Sequence, residues 1–279
     1  MHKSVKDIIE MKKSKQKISV LTSYDYTLAS LCDKAGIDIL LVGDSAGMVM
    51  LGYENTIPVT MEQMCLFTEA VSRGRENSLI VGDLPFMSYQ ANITDAIENS
   101  GRLIKAGADA VKLEGGEVMA ETISEIVSVG IPVMGHIGLQ PQTTMLSQGY
   151  KVQGKTKDSA LQLIHDAKAL EEAGVFSITL EMVTKEVAQI ISESISIPTI
   201  GIGSGVNCDG QVLVVQDLLG MYEKIKPKFA KRYLELSDEI IKAVGSYKNE
   251  VESSQFPKEE NSFSMDDAEL KKLREEIGS

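Results

Sequence analysis

Ile37-Asp38-Ile39-Leu40-Leu41-Val42-Gly43-Asp44-Ser45-Ala46-Gly47-Met48 is a short apolar run that ends in glycine and a carboxylate. Apolar residues at nearly every position, rather than at alternate ones, suit a strand covered on both faces, as in a parallel sheet. The same form recurs along the chain at residues 18–22, 79–81 (followed by Gly82), 110–113, 131–134, 177–180, 198–202 and 212–215. With residues 37–42 there are eight such runs.

Helical signals fill the gaps. Thr60 with Gln63 three residues on opens a helix to about residue 73, and Thr94 opens another that stops at Ala106-Gly107. Residues 157–173 carry apolar positions at helical spacing and stop at Gly174, and residues 184–194 repeat the form. A further helix is expected over residues 3–13, ahead of the first strand, and another from Pro227 to about residue 244. Eight βα units in 279 residues favour a closed (β/α)8 TIM-type barrel of the α/β class over an open sheet. The expected division is a single catalytic barrel with its N-terminal helix over 1–249 and a polar, charged C-terminal tail over 250–279. In the tail, Leu270, Leu273 and Ile277 have helical spacing, so a docked helix and a disordered tail are equal alternatives.

Composition narrows the function. Hydrophobic residues are 43% of the chain, enough for a sizeable core, and the formal charge is −12. An acidic body repels phosphate backbones, so no nucleic-acid partner is expected. Residues 1–17 run against the trend, with six lysines against Asp7 and Glu10. No apolar run approaches the ~18–20 residues that span a bilayer, and the first residues lack an apolar signal core. Cys32, Cys65 and Cys208 are scattered and form no C-x-x-C pair, which suits a reduced, cytoplasmic protein.

In such a barrel the active site lies at the C-terminal ends of the strands. Those ends carry Asp44 and Ser45, Asp83, Lys112 with Glu114, His136, Glu181, the turn Gly201-Ile202-Gly203-Ser204-Gly205, and Gln216-Asp217. A single Asp after a strand is most often a helix N-cap. The set is different, because three carboxylates, a lysine and a histidine would meet at one mouth. Three oxygen acids with no Cys/His cluster favour a hard cation, Mg2+, over zinc. Lys112 and Glu114 share a strand face, either as a self-satisfied pair or as a cation beside a metal carboxylate. His136 is either a hydrogen-bonded rim residue or a substrate donor. The glycine turn either cradles a phosphate or serves close backbone approach.

Seven segments together resemble the ketopantoate hydroxymethyltransferase family: LVGDSAGM (41–48), VGDLPFM (81–87), VKLEGGE (111–117), GHIGLQPQ (135–142), GYKVQG (149–154), Leu180-Glu181 and 201–205. They occur in the family's order over roughly residues 5–260. Tyr53 stands where family members often have His, and the last residues extend beyond many relatives. The resemblance implies transfer of a hydroxymethyl group from 5,10-methylenetetrahydrofolate to 2-oxoisovalerate through a Mg2+-stabilised enolate, in pantothenate and coenzyme A biosynthesis. It implies Asp44, Asp83 and Glu114 as metal ligands, Ser45 and Lys112 (with Asp44, Asp83 and His136) at the keto acid, and Glu181 as the base. It also implies a large homo-oligomer, commonly a decamer. The nearest rival is a barrel lyase of the phosphoenolpyruvate mutase type. Those enzymes carry a catalytic Cys in a Lys-Lys-Cys-Gly-His type loop, which neither Cys65 nor Cys208 has around it.

Overall fold

Eight parallel strands pair in chain order and close into a barrel: β1 (Ile18–Thr22), β2 (Ile39–Val42), β3 (Leu79–Asp83), β4 (Ala110–Glu114), β5 (Val133–Gly138), β6 (Ser177–Glu181), β7 (Thr199–Ile202) and β8 (Gly210–Leu213). Closure is made by β1 against β8, with Ile18 opposite Gly210 and Val20 opposite Val212. This computed structural model describes residues 2–143 and 151–278. Gly149 and Tyr150 of the GYKVQG segment therefore lie outside the described residues.

The strands are buried on both faces, apart from exposed Gln211 on β8, so the apolar residues divide into two cores. One lies inside the barrel and includes Ile18, Val20, Ile39, Leu41, Leu79, Val81, Ala110, Met134, Ile200 and Val212. The other lies between strands and helices and includes Leu40, Val42, Ile80, Val111, Leu113, Val133 and Ile137. Because side chains alternate, Asp83 shares the inward face with Leu79 and Val81, and Lys112 and Glu114 share it with Ala110. Aliphatic residues thus fill the lower barrel and polar ones its upper end.

The outer layer contains α2 (Tyr26–Lys34), α3 (Ala46–Val49), α4 (Met61–Gly74), α5 (Ile93–Lys105), α6 (Ala120–Ser128), α7 (Lys157–Glu172), α8 (Lys185–Ser194) and α9 (Val215–Leu218). Thr60 and Gln63 form the expected capping box of α4. Helix α5 starts earlier than expected. Its cap is Asn92, whose side chain accepts from the Asp95 N–H at 2.8 Å, and Thr94 lies inside the first turn. Strand β8 sits two residues before its expected place, where Gly210 allows the close approach to Ile18 that closes the barrel.

The extra N-terminal helix, α1 (Val5–Lys13), is present and capped by Ser4, with Asp7 completing the box. It inserts Ile8 and Met11 into the lower end of the inner core. The basic N-terminus fastens this plug. Lys3 pairs with Asp38 at 3.1 Å, Lys12 with Asp209 at 3.0 Å, and Lys17 donates to the Cys208 carbonyl at 2.6 Å.

The helix expected to open at Pro227 does not form there. Tyr222, Ile225, Pro227, Lys228 and Phe229 line the upper cavity instead, and helix α10 runs over Leu236–Glu252, across the expected boundary at 249/250. The tail is helical, with α11 spanning Asp267–Ile277 behind an Asp266 cap. Neither α10 nor α11 buries a residue. Among the described residues no helix is long and apolar enough to cross a membrane.

Candidate active site

Asp44, Ser45, Asp83, Lys112, Glu114, His136 and Glu181 all line one cavity of about 380 Å³ at the C-terminal ends of the strands. Strand register brings most of them together. Asp83 lies opposite Lys112, Glu114 opposite His136, and Gly138 opposite Glu181. Gly138 has φ 99°, and a Cβ there would collide with the Glu181 carbonyl, so only glycine lets β6 approach so closely. Met182, directly after Glu181, holds φ 48°, and Met87, just beyond Asp83, holds φ 64°. Left-handed non-glycine backbone of this kind costs of order 1 kcal/mol and clusters at functional loops.

The centre of the site is a buried ion pair. The Lys112 ammonium donates to both Asp83 oxygens at 2.8 Å. The Asp44 N–H also reaches Asp83 Oδ2, at 3.3 Å. Burial raises the Asp44 carboxyl to about 8, reinforced by the charges of Asp83 and Glu114, and Lys112 and Gln142 oppose the shift only in part. Burial also raises Asp83, against the pull of Lys112. His136 lies between two acids, with Nδ1 3.5 Å from Glu114 Oε1 and Nε2 3.3 Å from Glu181 Oε2. Burial and Lys112 would lower its pKa, but the two flanking carboxylates prevail and raise it to about 9. Neither contact has hydrogen-bond geometry. Glu114 Oε1 and both His136 nitrogens are buried without a hydrogen-bond partner.

Ser45 caps no helix with its side chain; its hydroxyl meets the buried Tyr24 hydroxyl at 2.8 Å. Asp25 is the ordinary case of an acid after a strand, an N-cap of α2 that accepts from the Leu28 N–H at 2.9 Å. The glycine turn after β7 is anchored by its serine. Ser204 donates to the Leu180 carbonyl at 2.7 Å and accepts from the Val183 N–H at 3.1 Å, and so stitches β7 to β6. His165 contacts Glu117 on the surface, away from the cavity.

Sequence patterning missed two participants, Tyr89 and Gln142. Gln142 Nε2 donates to Asp44 Oδ2 at 3.0 Å, and its backbone N–H donates to Glu114 Oε2 at 3.1 Å. Tyr89 donates to Gln142 Oε1 at 2.8 Å. Gln142 was visible only as the last residue of GHIGLQPQ, with no period or spacing to mark it.

Among the described residues no three His, Cys, Asp or Glu side chains form a ready-made cage. The Lys112 ammonium already meets both Asp83 oxygens. The donor chemistry nevertheless fits a hard ion: three buried carboxylates against one lysine, with Glu114 Oε1 lacking a partner. Mg2+ commonly keeps waters and takes only one or two carboxylates, so a full protein cage is not required.

A family described as ketopantoate hydroxymethyltransferase matches residues 2–259. The chain is 81% identical, over the whole of both sequences, to a 3-methyl-2-oxobutanoate hydroxymethyltransferase of Nitrosopumilus maritimus. It is 55% identical to the enzyme of that name from Clostridium botulinum (strain 657 / Type Ba4), covering 98% of this chain and 100% of that one. Among solved structures, a phosphonopyruvate hydrolase in complex with oxalate and Mg++ superposes with a TM-score of 0.61 at 11% identity, covering 99% of this chain and 96% of that one. A 2,3-dimethylmalate lyase of the PEP mutase/isocitrate lyase superfamily gives a TM-score of 0.54 at 13% identity, covering 100% and 98%. At such identities the structural likeness concerns the barrel alone.

Proposed function

Because the chain belongs to the ketopantoate hydroxymethyltransferase family, we propose that it moves a hydroxymethyl group from 5,10-methylenetetrahydrofolate onto 2-oxoisovalerate, giving ketopantoate. The supporting observation is the convergence of Asp44, Asp83, Glu114, Lys112 and Glu181 on one cavity.

Asp44 and Asp83, with Glu114, would hold Mg2+. When bound, the cation supplies Lewis acidity that makes the C3–H bond beside the ketone more acidic. Lys112 has three ammonium protons and gives at most two to Asp83, which leaves one for the substrate carboxylate. Ser45, from the loop after β2, is the second donor to that carboxylate. Glu181 takes the C3 proton, and His136, 3.3 Å from its Oε2, orients it. The C3 carbon then bonds to the methylene carbon of the donor. Both carbon–nitrogen bonds of that methylene break, water supplies the hydroxyl, and its second proton together with the one taken from C3 goes to the two nitrogens as tetrahydrofolate leaves.

The same reading makes residues 1–249 a catalytic barrel with an appended tail over 250–279. It places the enzyme in the cytoplasm, in pantothenate and coenzyme A biosynthesis, as a homo-oligomer, commonly a decamer. Incubation with 2-oxoisovalerate, methylenetetrahydrofolate and Mg2+ should yield ketopantoate and tetrahydrofolate in equal amounts by mass spectrometry. Product formed from formaldehyde but not from methylenetetrahydrofolate would overturn the donor assignment.

A further inference from the structure

We infer that Gln142 is a positioning residue whose amide and backbone N–H fix the pose of the Asp44 and Glu114 carboxylates, and that Tyr89 fixes which way that amide faces. The role rests on the cation site proposed above, because those carboxylates are two of its acids.

Gln142 is 1% exposed, and every polar valence of its amide is used. On the nitrogen side it donates to Asp44 Oδ2 at 3.0 Å and to the Leu84 carbonyl at 2.9 Å. On the oxygen side it accepts from the Tyr89 hydroxyl at 2.8 Å and from Gln90 Nε2 at 3.2 Å. Turning the amide over would set its oxygen against a carboxylate and a carbonyl. Tyr89 opposes that turn. Its hydroxyl oxygen accepts from the Glu114 N–H at 3.1 Å, and its proton lies between Gln142 Oε1 at 2.8 Å and the Glu114 carbonyl at 3.2 Å, the amide oxygen being the nearer. The backbone N–H of Gln142 takes Glu114 Oε2, leaving Oε1 as the oxygen without a hydrogen bond. One residue thus ties one oxygen of each of two acids, from β4 and from the loop after β2. A neutral amide does this without adding a fourth negative charge, which a glutamate would bring.

Partners of this kind orient ligating carboxylates, and their removal weakens metal affinity by about 10–100-fold. The test is calorimetric titration of the metal-free protein with Mn2+ alone, with thermal unfolding followed in parallel. Gln142→Met should weaken Mn2+ binding about tenfold or more, with kcat recovered at saturating Mn2+. Tyr89→Phe should weaken it by a smaller factor, and adding it to Gln142→Met should cost less than it does alone, because part of the hydroxyl's effect runs through the amide. Unchanged Mn2+ affinity in either variant, or fully additive losses, would overturn the role. Should Gln142→Met fail to fold, the Tyr89→Phe titration decides alone. Wild-type protein that binds no Mn2+ would sink the cation site itself and this role with it; wild-type binding with unaffected variants would sink only the role of Gln142.

Discussion

The two ends of the barrel use charge in opposite ways. At the lower end each buried or half-buried charge is matched. Lys12 meets Asp209 and two carbonyls, Arg75 meets Asp109 at 3.0 Å, and Asp33 accepts from Asn77 and Ser78 through both backbone and side chain. At the upper end three carboxylates crowd one lysine, and Glu114 Oε1 and both His136 nitrogens lack hydrogen bonds. Charges with every valence filled hold a fold together. Charges left facing a cavity are available to a ligand, at a cost in stability that the matched end offsets.

Three substitutions bear on that contrast. Glu181→Gln, at the upper end, should lower turnover by roughly 10²–10⁴-fold and leave the unfolding temperature unchanged. Deuterium exchange at C3 of 2-oxoisovalerate, followed by NMR in D2O, should disappear while the acid still binds; near-normal exchange would remove Glu181 as the base. Asp33→Asn should do the reverse, costing about 2 kcal/mol of stability with kcat intact. Burial would raise the Asp33 carboxyl, but its hydrogen bonds from Asn77 and Ser78 outweigh that and hold it at about 2. A lowered folded pKa contributes stability that is present above the usual carboxylate range and is lost as pH falls toward 2. Denaturant midpoints measured across that window should therefore flatten in the variant. Lys12→Met should cost the least, about 1 kcal/mol, seen in thermal unfolding alone. Loss of activity in either lower-end variant without loss of stability would blur the division between the two ends.

The barrel could be read from the sequence because each strand is an uninterrupted apolar run followed by a polar group, and that pattern is local. Asp44, Asp83, Glu114 and Glu181 were legible for the same reason, each standing at or just past a strand end, and Lys112 and His136 lie two residues inside theirs. Gln142 and Tyr89 were not, because their roles depend on loops that fold back over the rim from elements distant in the chain. Thr94 misled because Asn92, two residues earlier, competes for the same cap. Pro227 misled because residues 221–235 pack Tyr222, Ile225 and Phe229 on the cavity, and a helix beginning there would not present that wall.

Helix α1 corks the barrel from below. Traffic to the floor of the pocket then runs through the opposite rim, past Tyr222, Ile225 and Phe229. Whatever binds on that floor enters and leaves by a single mouth, because the stopper at the bottom closes the other way out.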